Sequence, residues 1–177
     1  MIYIRDDDVL VRSRRYDPLS QFKKVHEIIC SNEQFLHVAA ILTTEIREFP
    51  DAVQYIREEV EGGRMLAEIH GFQHIDYGKL SPDETARHLA ECIAFHTESF
   101  GSRPTKFFTP WGVSTPGISL ACETLDLEMV DDSAKKLGGK AGLYREVKAG
   151  LRPAVQEILI HWWNDTDKLE YVMKEWR

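Results

Sequence analysis

The chain has 177 residues, a net charge of −7, and 43% hydrophobic against 29% charged residues. That length suits one domain, residues 1–177, with its own buried core and no need of disulfide staples. The acidic balance excludes a nucleic-acid partner, since Arg12, Arg14 and Arg15 make no basic stripe, and no apolar run approaches the ~20 residues that span a bilayer.

Residues 1–5 read as a short buried strand, followed at once by Asp6, Asp7 and Asp8. Asp17-Pro18 offers an N-cap and a first-turn proline for a helix with Leu19, Phe22, Val25 and Ile29 on one face. A strand is expected at 35–42. Pro50 opens a second helix that Gly62-Gly63 stops, and a strand over 64–69 then delivers His70. Ser81-Pro82-Asp83-Glu84 is a capping box, starting a helix that ends at Gly101. Strands at 106–108 and 127–130 flank a helix begun by Thr115-Pro116. Residues 144–147 and 156–160 read as two further strands, the last ending at His161. A final helix, capped by Asn164 or Asp165, carries Leu169, Val172, Met173 and Trp176 on one face. Cys30, Cys92 and Cys122 lie in expected helices without C-x-x-C spacing and read as buried, reduced packing residues.

Strands alternating with amphipathic helices predict an α/β fold with six or seven mainly parallel strands. In such folds the carboxyl ends of the strands share one face, where sites are built. Asp6 to Asp8, His70 with His74, Pro110-Trp111, Asp131 and His161 each follow an expected strand, so they are expected to converge. Three adjacent carboxylates repel one another and are best tolerated when exposed or bound to a cation. Two imidazoles and a carboxylate make the three-ligand set of an open metal site. His26, His37, His88 and His96 fall away from that face and read as non-ligands.

With these motifs in this order, the sequence resembles the polysaccharide deacetylase family, metal-dependent carbohydrate esterases with a distorted, incomplete (β/α) barrel. The family's strand-Asp-Asp motif is matched by Asp7 and Asp8, with Asp6-Asp7 as the competing register. His-x-x-x-His is matched by His70 and His74, followed by Asp76 as a residue to orient a ligand imidazole. The third motif aligns with Phe108-Thr109-Pro110-Trp111-Gly112, the fourth with Asp131 or Asp132, and the fifth with Ile158-Leu159-Ile160-His161.

The resemblance implies a role for each match. Asp8, His70 and His74 hold one divalent ion, zinc first, with cobalt, nickel, manganese and iron as alternatives. Asp7 is the base and His161 the acid, kept charged by Asp131. Pro110, Trp111 and Gly112 bind substrate, an N-acylated sugar, with a backbone N–H near Trp111 as an oxyanion donor. Trp162 and Trp163 are further candidates to line the groove, one of them expected in the core. The family's motif-three arginine, which braces the base, is replaced by Phe108, leaving Arg5 and Arg103 as substitutes.

Acidic residues stand where a signal peptide has its apolar stretch, so a cytoplasmic protein is expected. That setting favours soluble, nucleotide-linked or lipid-linked substrates. Two rivals remain at this stage, a non-catalytic carbohydrate-binding relative and a hydrolase of another small amide. A zincin protease fits poorly, because Gly71 stands where its glutamate base would be.

Overall fold

The computed structural model describes residues 1–9, 17–131, 134–139 and 142–176. Arg12, Arg14, Arg15 and Asp132 lie outside them. The strand β1 (Ile2–Val9) lies inside the sheet, pairing in parallel with β2 (Phe35–Leu42) on one side and β7 (Glu157–Ile160) on the other. Beyond β2 come β3 (Met65–Gly71), β4 (Lys106–Phe108) and β5 (Glu128–Val130), and beyond β7 lies β6 (Lys135–Lys136). The order is β5-β4-β3-β2-β1-β7-β6, and every neighbouring pair is parallel.

Connectivity forces this sheet to curl. β5 and β6 are its two edges, yet only residues 131–134 separate them in sequence, so the edges lie at most about 18 Å apart. A flat sheet of seven strands would hold them about 29 Å apart. The result is a half-barrel with helices outside, an incomplete α/β barrel, open along the β5–β6 seam.

The helices follow their sequence signals closely. The Asp17 side chain accepts the Ser20 N–H at the start of α1 (Pro18–Cys30), and Pro50 opens α3 (Pro50–Glu61). Ser81 and Glu84 close both halves of the capping box of α4 (Pro82–Phe100), which Gly101 ends with φ 72°. Thr115 caps α5 (Pro116–Thr124). The helix α7 (Thr166–Glu175) packs with Ile4, Val25, Ile158 and Trp162 in one core cluster. A second lies beneath α1 and α3, a third beneath α4 and α5. Inside the curl, Val38, Ala40 and Phe108 form a small apolar plug.

Three expectations are corrected and one element is added. β1 runs through Asp6, Asp7 and Asp8 instead of stopping at Arg5. Residues 144–147 belong to a helix, α6 (Leu143–Lys148), because Leu143 and Val147 are buried at helical spacing; the strand on that edge is β6. The added element is a short helix, α2 (Thr43–Ile46), which continues directly from β2 where no element was expected. Cys30 is exposed at the end of α1, whereas Cys92 and Cys122 are buried as expected. Among the described residues no helix is long and apolar enough to cross a membrane.

Candidate metal and catalytic site

Alternation along β1 sorts the three aspartates. Asp6 points to the helix side and is fully buried, accepting the Trp162 N–H at 2.9 Å, with its other oxygen 3.8 Å from His37 Nε2. Burial drives its carboxyl well above the usual range, and the adjacent charges of Asp7 and Asp8 add to the rise. Asp7 faces the opposite way, into the half-barrel. Asp8 adopts φ 57°, a left-handed conformation rare for a non-glycine residue, and this brings its carboxylate onto the same side as Asp7. The Asp7-Asp8 pair therefore shares the cavity and Asp6 does not.

His70 is the penultimate residue of β3 and His74 follows in the turn. The turn closes because residue 71 is glycine: at φ 141°, a Cβ there would lie 3.0 Å from the Gln73 carbonyl and 3.1 Å from the Tyr77 hydroxyl. Asp8 Oδ1 lies 3.3 Å from His70 Nε2 and 3.2 Å from His74 Nε2. Among the described residues these three are the one group able to supply converging metal-ligand atoms.

The donor set fits a divalent ion. His70 Nδ1 lies 2.8 Å from the Phe108 carbonyl, which can only accept, so Nδ1 carries the proton and Nε2 faces Asp8. Contacts of 3.2–3.3 Å match the edge of a tetrahedron with ~2.0 Å metal bonds. Without an ion the charges compensate one another. Burial opposes the charged form of His70, but hydrogen bonding to Asp8 and the charges of Asp7 and Asp8 raise its pKa overall. Burial likewise pushes Asp8 up, and the bond to His70 with the charges of His70, His74 and His161 brings it below its ordinary value. Asp76, expected to orient a ligand, instead accepts the Gly78 N–H and pairs with Lys79.

The group opens into a cavity of about 370 Å³ whose walls include Asp7, Trp111, Asp131 and His161. All five sequence motifs thus reach one space. Trp111 is 64% exposed, held at φ 56° in a single 3-10 turn, with its ring edge-on to His74 at 4.5 Å between centroids. The Gly112 N–H is taken by the Thr109 carbonyl and Pro110 has none, so the Trp111 amide is the turn's candidate oxyanion donor. His161 donates its backbone N–H to Asp165, and its ring packs on Trp163 at 5.2 Å. Trp162 is wholly buried, and neither it nor Trp163 lines the cavity.

Two lining residues escaped the motif reading. Lys136 reaches the cavity from a two-residue strand with no hydrophobic signal, and Val130 does so from the end of β5. Arg5, named as a candidate brace, lies 3.1 Å from Asp7 through Nε. Arg103, the other candidate, is committed to the carbonyls of Pro104, Leu125 and Asp126.

No protein-family model and no curated protein matches the sequence. Solved structures do match. A family 4 carbohydrate esterase from Streptomyces lividans, in complex with acetate, superposes with a TM-score of 0.75 at 15% identity, over 98% of this chain and 86% of that one. A peptidoglycan deacetylase from Bacillus subtilis gives 0.71 at 13%, over 98% and 80%. A family 4 pseudoenzyme from Bacillus anthracis gives 0.73 at 13%, over 99% of this chain, which spans 60% of that one. The protein has the polysaccharide deacetylase fold, the incomplete barrel of the family 4 carbohydrate esterases.

Proposed function

We propose that the protein is a metal-dependent hydrolase that removes an N-acyl group, acetyl first, from an amino sugar. The observation that carries this reading is the convergence of Asp8, His70 and His74 beside Asp7, with His161 in the same cavity. Amide hydrolysis needs an activated water, a sink for oxyanion charge and a protonated leaving amine. Asp8, His70 and His74 would hold a divalent ion, zinc by preference for this mixed donor set, which would supply Lewis-acid activation of a water and of an acyl carbonyl. Asp7 takes the proton from the attacking water. The Trp111 amide donates to the carbonyl oxygen as charge develops there, and the Trp111 ring offers an apolar face to the sugar. His161 returns a proton to the departing nitrogen, and Asp131 lines the same wall. We place this chemistry in the cytoplasm, on soluble, nucleotide-linked or lipid-linked acylated sugars.

Acetate release from a panel of N-acetylhexosamine compounds by metal-loaded protein tests the proposal. Asp7→Asn is expected to lower turnover about 10²–10⁴-fold while metal content stays near one equivalent. Turnover that ignores Asp7→Asn removes the base assignment. A second reading, a carbohydrate-binding relative without turnover, is favoured by Phe108 at the arginine position and by the likeness to a pseudoenzyme. It predicts sugar binding without acetate release.

A further inference from the structure

We infer that Arg5 is the positioning residue of the base, performing from β1 the task that the family resemblance gives to an arginine at the Phe108 position. The inference rests on the reading of Asp7 as base. Arg5 and Asp7 are two residues apart on one strand, so both side chains leave the same face of the sheet. Nε of Arg5 lies 3.1 Å from Asp7 Oδ1, and a terminal nitrogen lies 3.2 Å from Glu157 Oε1 on the neighbouring β7. The guanidinium carbon sits 4.7 Å from the centre of the Phe108 ring. A planar cation is thereby held along two edges and across one face, at 3% exposure, as the walls of the catalytic cavity are reached.

The departure from the family pattern and the arginine explain each other. An arginine at 108 would put a second guanidinium against the first, whereas phenylalanine gives the existing one a π-face to rest on. Glu157 supplies the second negative charge that keeps the cation from rotating onto Asp7 alone. Asp7 Oδ1 is the carboxylate oxygen that faces the guanidinium, as one half of a buried ion pair. Lysine cannot copy this arrangement, because its ammonium is a single point charge on a flexible stem.

Steady-state kinetics on the metal-loaded protein, compared across Arg5→Lys and the exchange Arg5→Phe/Phe108→Arg, tests the inference. Arg5→Lys is expected to lose about 10–100-fold in kcat, with KM and metal content unchanged. The exchange restores a guanidinium beside Asp7 from β4 and is expected to recover most of that loss. An unchanged kcat in Arg5→Lys, a loss confined to KM or metal content, or a folded exchange variant no better than Arg5→Lys would overturn it. Independently of turnover, the Arg5 Nε–Hε signal in NMR spectra is expected to be sharp and protected, and to vanish in Asp7→Ala. Absent turnover in the wild type removes the deacetylase reading; an unprotected Arg5 signal removes this one.

Discussion

The indole Nε1–H of Trp162 donates to the main-chain carbonyl of Asp8 at 3.1 Å, across 154 positions of sequence. The same residue donates its backbone N–H to Asp6. β7 is thus sewn to the segment of β1 where Asp8 takes its left-handed turn, a conformation that costs an L-residue roughly 1–2 kcal/mol. Trp162→Phe keeps most of the buried ring and removes the donor. We expect a loss of about 0.5–1.5 kcal/mol in urea unfolding and a fall in metal affinity of about 10–100-fold by calorimetry. Unchanged affinity would show that Asp8 is aimed by other contacts.

Metal binding is expected to stabilise the fold. At a free ion concentration ~100 times Kd the gain is about 2.7 kcal/mol, a rise in Tm of about 5–10 °C for a chain of this size. Asp8→Ala should abolish the rise in a melting experiment with and without added zinc. Because the neighbouring carboxylates favour a second proton on His70 in the free protein, binding must release it, so affinity should climb with pH. Affinity independent of pH would contradict that state.

His161→Ala separates proton donation from water activation. An amine must be protonated to depart, whereas an aryl oxide leaves unaided. The variant should lose about 10²–10⁴-fold on an N-acetyl sugar and far less on an aryl acetate, as measured by paired kcat values. Equal losses on the two substrates would place His161 elsewhere in the reaction.

His96, on α4, is wholly buried, and burial lowers its pKa to about 4. A folded value below the unfolded one means that the unfolded chain binds the extra proton first. The associated stability is present above about pH 6.5 and is lost as pH falls towards 4, roughly 3 kcal/mol in all. His96→Phe should flatten that part of the stability profile in denaturant melts at successive pH values. A profile as steep as the wild type's would assign the loss to other groups, His26 and His37 among them, whose pKa values burial also lowers.

The fold was legible wherever local chemistry and tertiary packing agree. Capping at Asp17, Ser81 and Thr115, and the glycine stop at Gly101, mark helix ends where the structure has its caps. The expected end of β1 failed because aspartates disfavour strands, yet each of these three has a partner of its own: Trp162 for Asp6, Arg5 for Asp7, the two imidazoles for Asp8. Lys135 and Lys136 carry no hydrophobic pattern, and their strand exists only because β7 offers an edge. Residues 144–147 alternate too briefly to tell period two from a helical turn. The site was legible as positions after strands. Which aspartates face inward was legible only through the family resemblance, because it depends on a backbone torsion that composition does not reveal.

One side chain serves two masters at the join of β3 and β4. These strands meet at a single register position, Ile69 against Phe107, and the next residue, His70, bonds through its side chain to the following carbonyl, that of Phe108. Removing this imidazole therefore unfastens a strand as well as a ligand, so a defect at position 70 confounds architecture with chemistry. His74, out in the turn, bears no such seam, and is the place to empty the centre while leaving its housing intact.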